Sequence, residues 1–293
     1  MLINETPFTL IHSMKPHTDA IYSLYHLNDN RIASCSNDTT IRIFNPSNSY
    51  HCDQVLHRHK EPIYSICQLP DGTIVSSSDD KSIKIGEFTI KNAHSKWIWK
   101  LLVLPNNRIA SCSDDAYIKI WKSDLPYSDT PIKVLGDRMT WATSMQYEKE
   151  RDVLVSAFGD ETIKMWSMTT YQCVSIIQGV DCYWVNALYL INKDKVIVGS
   201  NNKFTIVNIE RCIIEDIVED NELGHVNAFA KLRDGKTILC GCDGGKFCLY
   251  DIETEKRKIY NNSEKGVIFD VLCYDSKTVI TCSLDTKINV WKY

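Results

Sequence analysis

A histidine, a serine and an aspartate recur together along this chain, and that trio can turn a hydroxyl into a nucleophile. His94, Ser111 and Asp115 make the clearest set. In that chemistry the imidazole takes the hydroxyl proton and the carboxylate holds the imidazole in the right tautomer. The same types come back at His17 and Asp38, and at His59 and Asp80, each time with a serine-rich run between them. An active site is singular, whereas this set repeats. It therefore reads as bracing, with no catalytic residue among its members.

Other reactive patterns are missing. There is no GxSxG, HExxH or phosphate loop. Asp234-Gly235-Lys236-Thr237 contains GKT, but Ala230 stands where the upstream glycine is required. Cys240-Gly241-Cys242 is half a metal site, with no second Cys/His pair at zinc spacing, so neither metal nor cofactor is expected. Asn37-Asp38-Thr39 and Asn261-Asn262-Ser263 match a glycosylation triplet, which matters only in a secreted chain.

Bulk properties narrow the field further. The 293 residues carry 33 Lys+Arg against 37 Asp+Glu, a net charge of -4. A mildly acidic balance argues against a general nucleic-acid binder, which needs a basic face. The one dense cationic cluster, Lys256-Arg257-Lys258, follows Glu253 and Glu255 and reads as a solvated edge strand. The start, MLINETPFTL, lacks the basic and apolar regions of a secretory signal, and no run of about 18 apolar residues exists. Several of the twelve cysteines sit within strand-like runs, such as Ser34-Cys35-Ser36, Ser111-Cys112-Ser113 and Thr281-Cys282-Ser283. Packed, reduced thiols in a cytoplasmic or nuclear protein are the expectation.

The elements that must position these residues follow from the repeat. HTDAIYSLYHLNDNRIASCSNDTTIRIF from His17, HKEPIYSICQLPDGTIVSSSDDKSIKIG from His59 and HSKWIWKLLVLPNNRIASCSDDAYIKIW from His94 all end 27 residues on, at Phe44, Gly86 and Trp121. Four weaker copies end at Trp166, Asn208, Tyr250 and Trp291. The turn residue six before each end is Asp38, Asp80, Asp115, Asp160, Asn202, Gly244 or Asp285. Successive intervals are 42, 35, 45, 42, 42 and 41 residues, near the period of a four-stranded propeller blade. Within each copy, short β-branched runs alternate with Asn, Asp and Gly turns, a pattern of strands and not of helices.

The His, the Ser-rich second strand, the Asp and the terminal Trp resemble the WD-repeat family from about Pro7 to Tyr293. The third copy carries the whole pattern: His94, Ser111, Ser113, Asp115 and Trp121. The resemblance implies an all-β, seven-bladed propeller with four antiparallel strands per blade. It also implies that His17, Asp38, His59, Asp80, His94, Ser111, Asp115, Trp121, Asp160, Trp166, Asp285 and Trp291 are structural, in buried hydrogen-bonded chains that brace the blades. One domain covers residues 1–293, with blades near 17–57, 59–91, 94–135, 139–177, 181–219, 222–260 and 264–293. The segment 6–12 (within PFTLIHS) supplies the last blade's missing strand, as the N-terminal segment does in the family. That closure leaves no appended module in the expectation. Phe44, Gly86, Asn208 and Tyr250 depart from the terminal Trp. Met139 stands near the fourth copy's His position, and copies five and six should be the least braced.

In the family, ligands usually lie over the central channel on the face where each first strand begins. Carried position by position, the strand openers are Tyr22, Tyr64, Trp99, Thr143, Asn186, Asn227 and Phe269. Trp97, Trp141, Trp184 and His225 lie two residues earlier in their copies. The residues before the turn position include Asp79, Asp114 and Asp243. Four of the seven tryptophans thus fall at face positions in blades three to five, with one or more expected to pack between blades. Tyr22, Tyr64 and Phe269 add to the ring. Exposed aromatic clusters mark binding sites, and the three acids favour a basic peptide.

The function expected is a non-catalytic, monomeric scaffold or adaptor. It would hold a peptide or partner protein on Tyr22, Tyr64, Asp79, Trp97, Trp99, Asp114, Trp141, Trp184, Asn186, His225, Asp243 and Phe269. The alternatives are a propeller that stacks nucleic-acid bases on the same rings, which those acids would oppose, and a propeller enzyme.

Overall fold

Short apolar runs joined by tight turns pair with their immediate neighbours, because local antiparallel pairing closes the shortest loops. In the computed structural model, which describes residues 7–136, 140–182, 187–261 and 266–293, this gives seven four-stranded antiparallel sheets arranged as a propeller. Blade three is typical, with strands Ile98–Leu104, Arg108–Ser113, Ile118–Lys122 and Lys133–Leu135 in that order. The sheets take up residues 21–57, 63–90, 98–135, 142–178, 188–219, 226–260 and 268–292. Only two short 3-10 turns, Pro46–Asn48 and Asp243–Gly245, interrupt the β structure among the described residues. None of these described elements is a helix long and apolar enough to cross a membrane.

The seventh sheet is completed from the other end of the chain. Strand Thr9–Met14 pairs antiparallel with Ile288–Lys292, aligning Thr9 with Lys292 and Met14 with Ile288. Phe8 anchors this closure, 3% exposed, with its ring 5.0 Å from Phe247 and 5.7 Å from Tyr293. The last blade thereby gains its outer strand and its open edge is covered.

The core lies between blades. One buried cluster runs from Val155 and Ile163 in blade four through Val198 and Phe204 to Cys240 and Tyr250 in blade six. Space is tight enough there to select glycine. A Cβ on Gly199 would lie 2.2 Å from the carbonyl oxygen of Val226 in the next blade. All twelve cysteines are free thiols, and eight of them, including Cys35, Cys112 and Cys282, are buried. Burial pushes the Cys112 thiol up to about 12, so it packs as a small apolar group.

Candidate functional site

The His, Ser and Asp sets are internal struts. In blade three the Trp121 indole N–H donates to Ser111 Oγ at 2.8 Å, and the same oxygen lies 2.7 Å from His94 Nε2. His94 Nδ1 lies 2.9 Å from Asp115, which also accepts from the backbone N–H groups of Ser95 and Tyr117. One proton arrangement satisfies every atom: indole N–H to hydroxyl oxygen, hydroxyl O–H to Nε2, and Nδ1–H to carboxylate. Burial drives the Asp115 carboxyl up, but the donors around it, His94 first, hold it at about 2. Burial also disfavours the His94 imidazolium, so its pKa falls below the ordinary histidine value.

Blades one and two repeat the core of this arrangement. His17 bonds Ser34 at 2.7 Å and Asp38 at 2.8 Å; His59 bonds Ser76 and Asp80, each at 2.8 Å. Phe44 and Gly86 supply no indole N–H there. Blades four and seven show the indole end, Trp166 to Ser156 at 2.9 Å and Trp291 to Thr281 at 3.0 Å. In those blades Asp160 bonds Thr162, and Asp285 bonds Ser283. Ser34, Ser76 and Ser111 are all 0% exposed. No substrate reaches those hydroxyls.

The exposed chemistry begins at the first residues of each inner strand. In six blades the pairing of first and second strands slips by one just after it starts. Ile21, Ile63, Ile98, Ala142, Val226 and Ile268 pair, and the next residue is skipped. The skipped residues are Tyr22, Tyr64, Trp99, Thr143, Asn227 and Phe269, the strand openers. A β-bulge leaves one residue unpaired and re-aims its side chain. Here it turns five of the six toward the channel mouth, where Tyr22, Tyr64, Trp99, Asn227 and Phe269 line one cavity. Thr143 is buried and donates to the Ala157 carbonyl instead. The opener of blade five, Asn186, lies outside the described residues, as does Trp184.

The rings form a continuous arc. Phe269 lies 5.3 Å from Tyr22, Tyr22 4.9 Å from Tyr64, and Tyr64 4.8 Å from Trp99 and 6.2 Å from Trp97. Trp97 meets Trp99 edge to face at 5.5 Å. The described arc therefore runs through blades seven, one, two and three and centres on Tyr64, whereas the tryptophan spacing alone had pointed to blades three to five. Trp97 is 44% exposed. Trp99 is half-buried and packs against the core between blades three and four. Trp141 is half-buried too, its ring against the backbone of Gly159, where a Cβ would come within 2.4 Å of it.

The rim acids already have partners. Asp114 pairs with Lys96 at 3.2 Å. Asp243 accepts from the His225 backbone N–H at 3.2 Å and from Asn227 Nδ2 at 3.1 Å. It thus serves blade six in place of Gly244, while His225 gives its main chain to the blade and bridges to Asn201. Burial and nearby Glu61 raise the Asp79 carboxyl above its ordinary value, with the Trp97 side chain pulling the other way. Of these three acids, Asp114 is the one with an ion-pair partner among the described residues.

Two residues that the sequence reading passed over stand deeper in the channel. One place beyond the openers, the strands present Ser23, Ser65, Lys100, Ser144, Ala228 and Asp270, with Ala187 at the matching place in blade five. Lys100 and Asp270 are the charges in that column. Stacking the repeats on their openers would have exposed them, because a Lys and an Asp replace Ser or Ala. Asp270 accepts three hydrogen bonds: Ser23 Oγ and the Leu24 N–H donate to one oxygen at 3.1 and 2.9 Å, and the Val271 N–H to the other at 2.9 Å. Burial raises its pKa above the ordinary aspartate value. Among the described residues no group of three or more His, Cys, Asp or Glu is arranged to hold a metal ion.

Comparison with known proteins bears on this geometry. The family model "WD domain, G-beta repeat" matches residues 8–45, 50–85 and 87–122. A solved structure, the "Crystal structure of WD40 beta propeller domain of Doa1", matches with a TM-score of 0.80 at 18% identity, covering 97% of this chain and 97% of that chain. At that identity the likeness concerns the fold. No curated protein matches the sequence.

Proposed function

The chain carries WD repeats on a seven-bladed β-propeller, and from that premise we propose that it is a non-catalytic interaction scaffold. Its binding face is the aromatic mouth of the channel, and its ligand is a peptide segment of a partner protein. Proteins of this family generally bind protein partners and are typically not enzymes. The observation that carries the reading is the arc from Phe269 through Tyr22 and Tyr64 to Trp97, held at the mouth by bulges that recur blade after blade. Rings fixed in place bury large area at small entropic cost, which is why Trp and Tyr dominate interface hot spots.

The test is affinity capture from cytosol, with the native chain beside a Tyr64→Ala/Trp97→Ala variant shown by circular dichroism to be folded. A partner retained by the native chain and lost by the variant supports the reading. Equal retention by both would move the binding surface to the sides or the opposite face.

A further inference from the structure

The channel behind the aromatic mouth contains a cation, Lys100, whose charge acts through space on the buried Asp270 carboxyl and opposes the rise that burial imposes there. Lys100 lines the same cavity as Tyr64, Trp99, Asn227 and Asp270. Among the described residues its ammonium makes no hydrogen bond and no ion pair. The one carboxylate in its column, Asp270, already accepts three hydrogen bonds on its two oxygens. A second donor in this wall is idle as well, because Trp99 Nε1 is buried and has no partner. Two donors without a direct hydrogen-bond partner among the described residues thus sit on consecutive residues, one charged and one neutral. An ammonium donor makes a charge-assisted, hence stronger, hydrogen bond to any carboxylate that reaches it.

We propose that the channel seats a carboxylate from the partner, the side chain of a glutamate or aspartate, on the Lys100 ammonium. This rests on the reading of the aromatic mouth as the binding face. It also adds an acidic anchor to the basic peptide that the three rim acids favour. Asp79, Asp114 and Asp243 stand on the rim, and Lys100 stands inside beside the already hydrogen-bonded Asp270. The complementary ligand is one acidic anchor with basic residues flanking it, Glu over Lys100 and Lys or Arg toward Asp79 and Asp243. The cavity, about 70 Å³, has room for a carboxylate head group.

The probes are two blocked tripeptides, Ac-Lys-Glu-Lys-amide and Ac-Lys-Gln-Lys-amide, equal in shape and different in one charge. Binding is read from the Trp99 indole cross-peak in ¹H–¹⁵N spectra of the whole chain. The glutamate peptide should bind about tenfold more tightly than the glutamine peptide, as a charge-assisted hydrogen bond would give. That difference should vanish in Lys100→Met and survive in Lys100→Arg, each checked for fold by circular dichroism. Equal binding of the two peptides, no perturbation by either, or an undiminished difference in Lys100→Met would overturn the proposal. So would acetate binding as tightly as the glutamate peptide, because the channel would then be a site for free small anions. Loss of a partner through Tyr64→Ala/Trp97→Ala is a separate result, so the mouth can stand even where the carboxylate anchor fails.

Discussion

His94 and Trp121 meet on one atom, Ser111 Oγ, which lies 2.7 Å from the ring nitrogen and 2.8 Å from the indole nitrogen. Ser111→Ala removes a hydroxyl of negligible volume and strands two buried polar groups. The expected cost is about 2–4 kcal/mol, read from urea unfolding, since each orphaned group costs about 1–3 kcal/mol. Ser156→Ala in blade four should cost less, because there the hydroxyl serves Trp166 and the Lys164 carbonyl and no histidine.

Acid should unfold the protein in two stages. Burial lowers His17 and His94 below their unfolded value of about 6.5. A group depressed in the folded state contributes stability above its unfolded pKa and loses it as pH falls toward the folded one. The first loss therefore begins below about pH 6.5, as the unfolded chain takes up protons that the buried rings refuse. The second begins below the ordinary aspartate value of about 3.9 and runs toward the Asp115 pKa of about 2. Urea midpoints between pH 8 and 2 would show this. A midpoint that stays level from pH 7 to 5 would contradict the first stage.

Thiol chemistry should separate the cysteines by position. Cys173 and Cys212 are exposed, and eight others are buried. Mass spectrometry after brief alkylation of the native protein should find those two modified first, and the buried eight only in denaturant. Rapid labelling of Cys35 or Cys112 would mean that the blades open far more than their packing implies.

At the blade five–six boundary the argument turns on a backbone contact. Gly199→Ala places its methyl against the Val226 carbonyl, which cannot rotate away as a side chain could. A loss of about 1–3 kcal/mol is expected from overpacking, measured as a lower urea midpoint. Gly235→Ala is the contrast on space, since nothing lies within 4 Å of its new Cβ, although its φ of +78° carries backbone strain of its own.

Neighbouring tryptophans should divide stability from binding. Trp97 is 44% exposed, so Trp97→Ala should leave stability within about 0.5 kcal/mol while weakening partner capture. Trp99 packs against the core with Met145 and Ile118, so Trp99→Ala should lower both. Equal destabilisation by the two changes would mean that Trp97 is packed and not presented.

Much of this architecture was legible before any coordinates. The recurrence of His94, Asp115 and Trp121 types at constant spacing gave the blades, and the likeness of PFTLIHS to an outer strand gave the closure. The openers were legible too, because each sits one place into an alternating run. What pushes them toward the mouth was not. A bulge is a count of two residues against one across strands, and neither Tyr22 nor Tyr64 carries a glycine or any other local mark of it. The pairing of Asp114 with Lys96 and of Asp243 with Asn227 was hidden for a related reason. A charge can be read from sequence, but its satisfaction depends on which neighbour the turn brings near.

The closing strand sets how the ring would yield to mechanical load. Thr9 aligns with Lys292, so both chain ends leave the seventh blade from the same end of one strand pair. Tension on the two ends pulls that pair open at its tip, and the hydrogen bonds break in sequence instead of sharing the load in shear. Phe8, wedged between Phe247 and Tyr293, is the catch at that tip. Stretched by its ends, the propeller should open at low force at the seam where it was closed, while a pull across any other blade would meet its strands side by side.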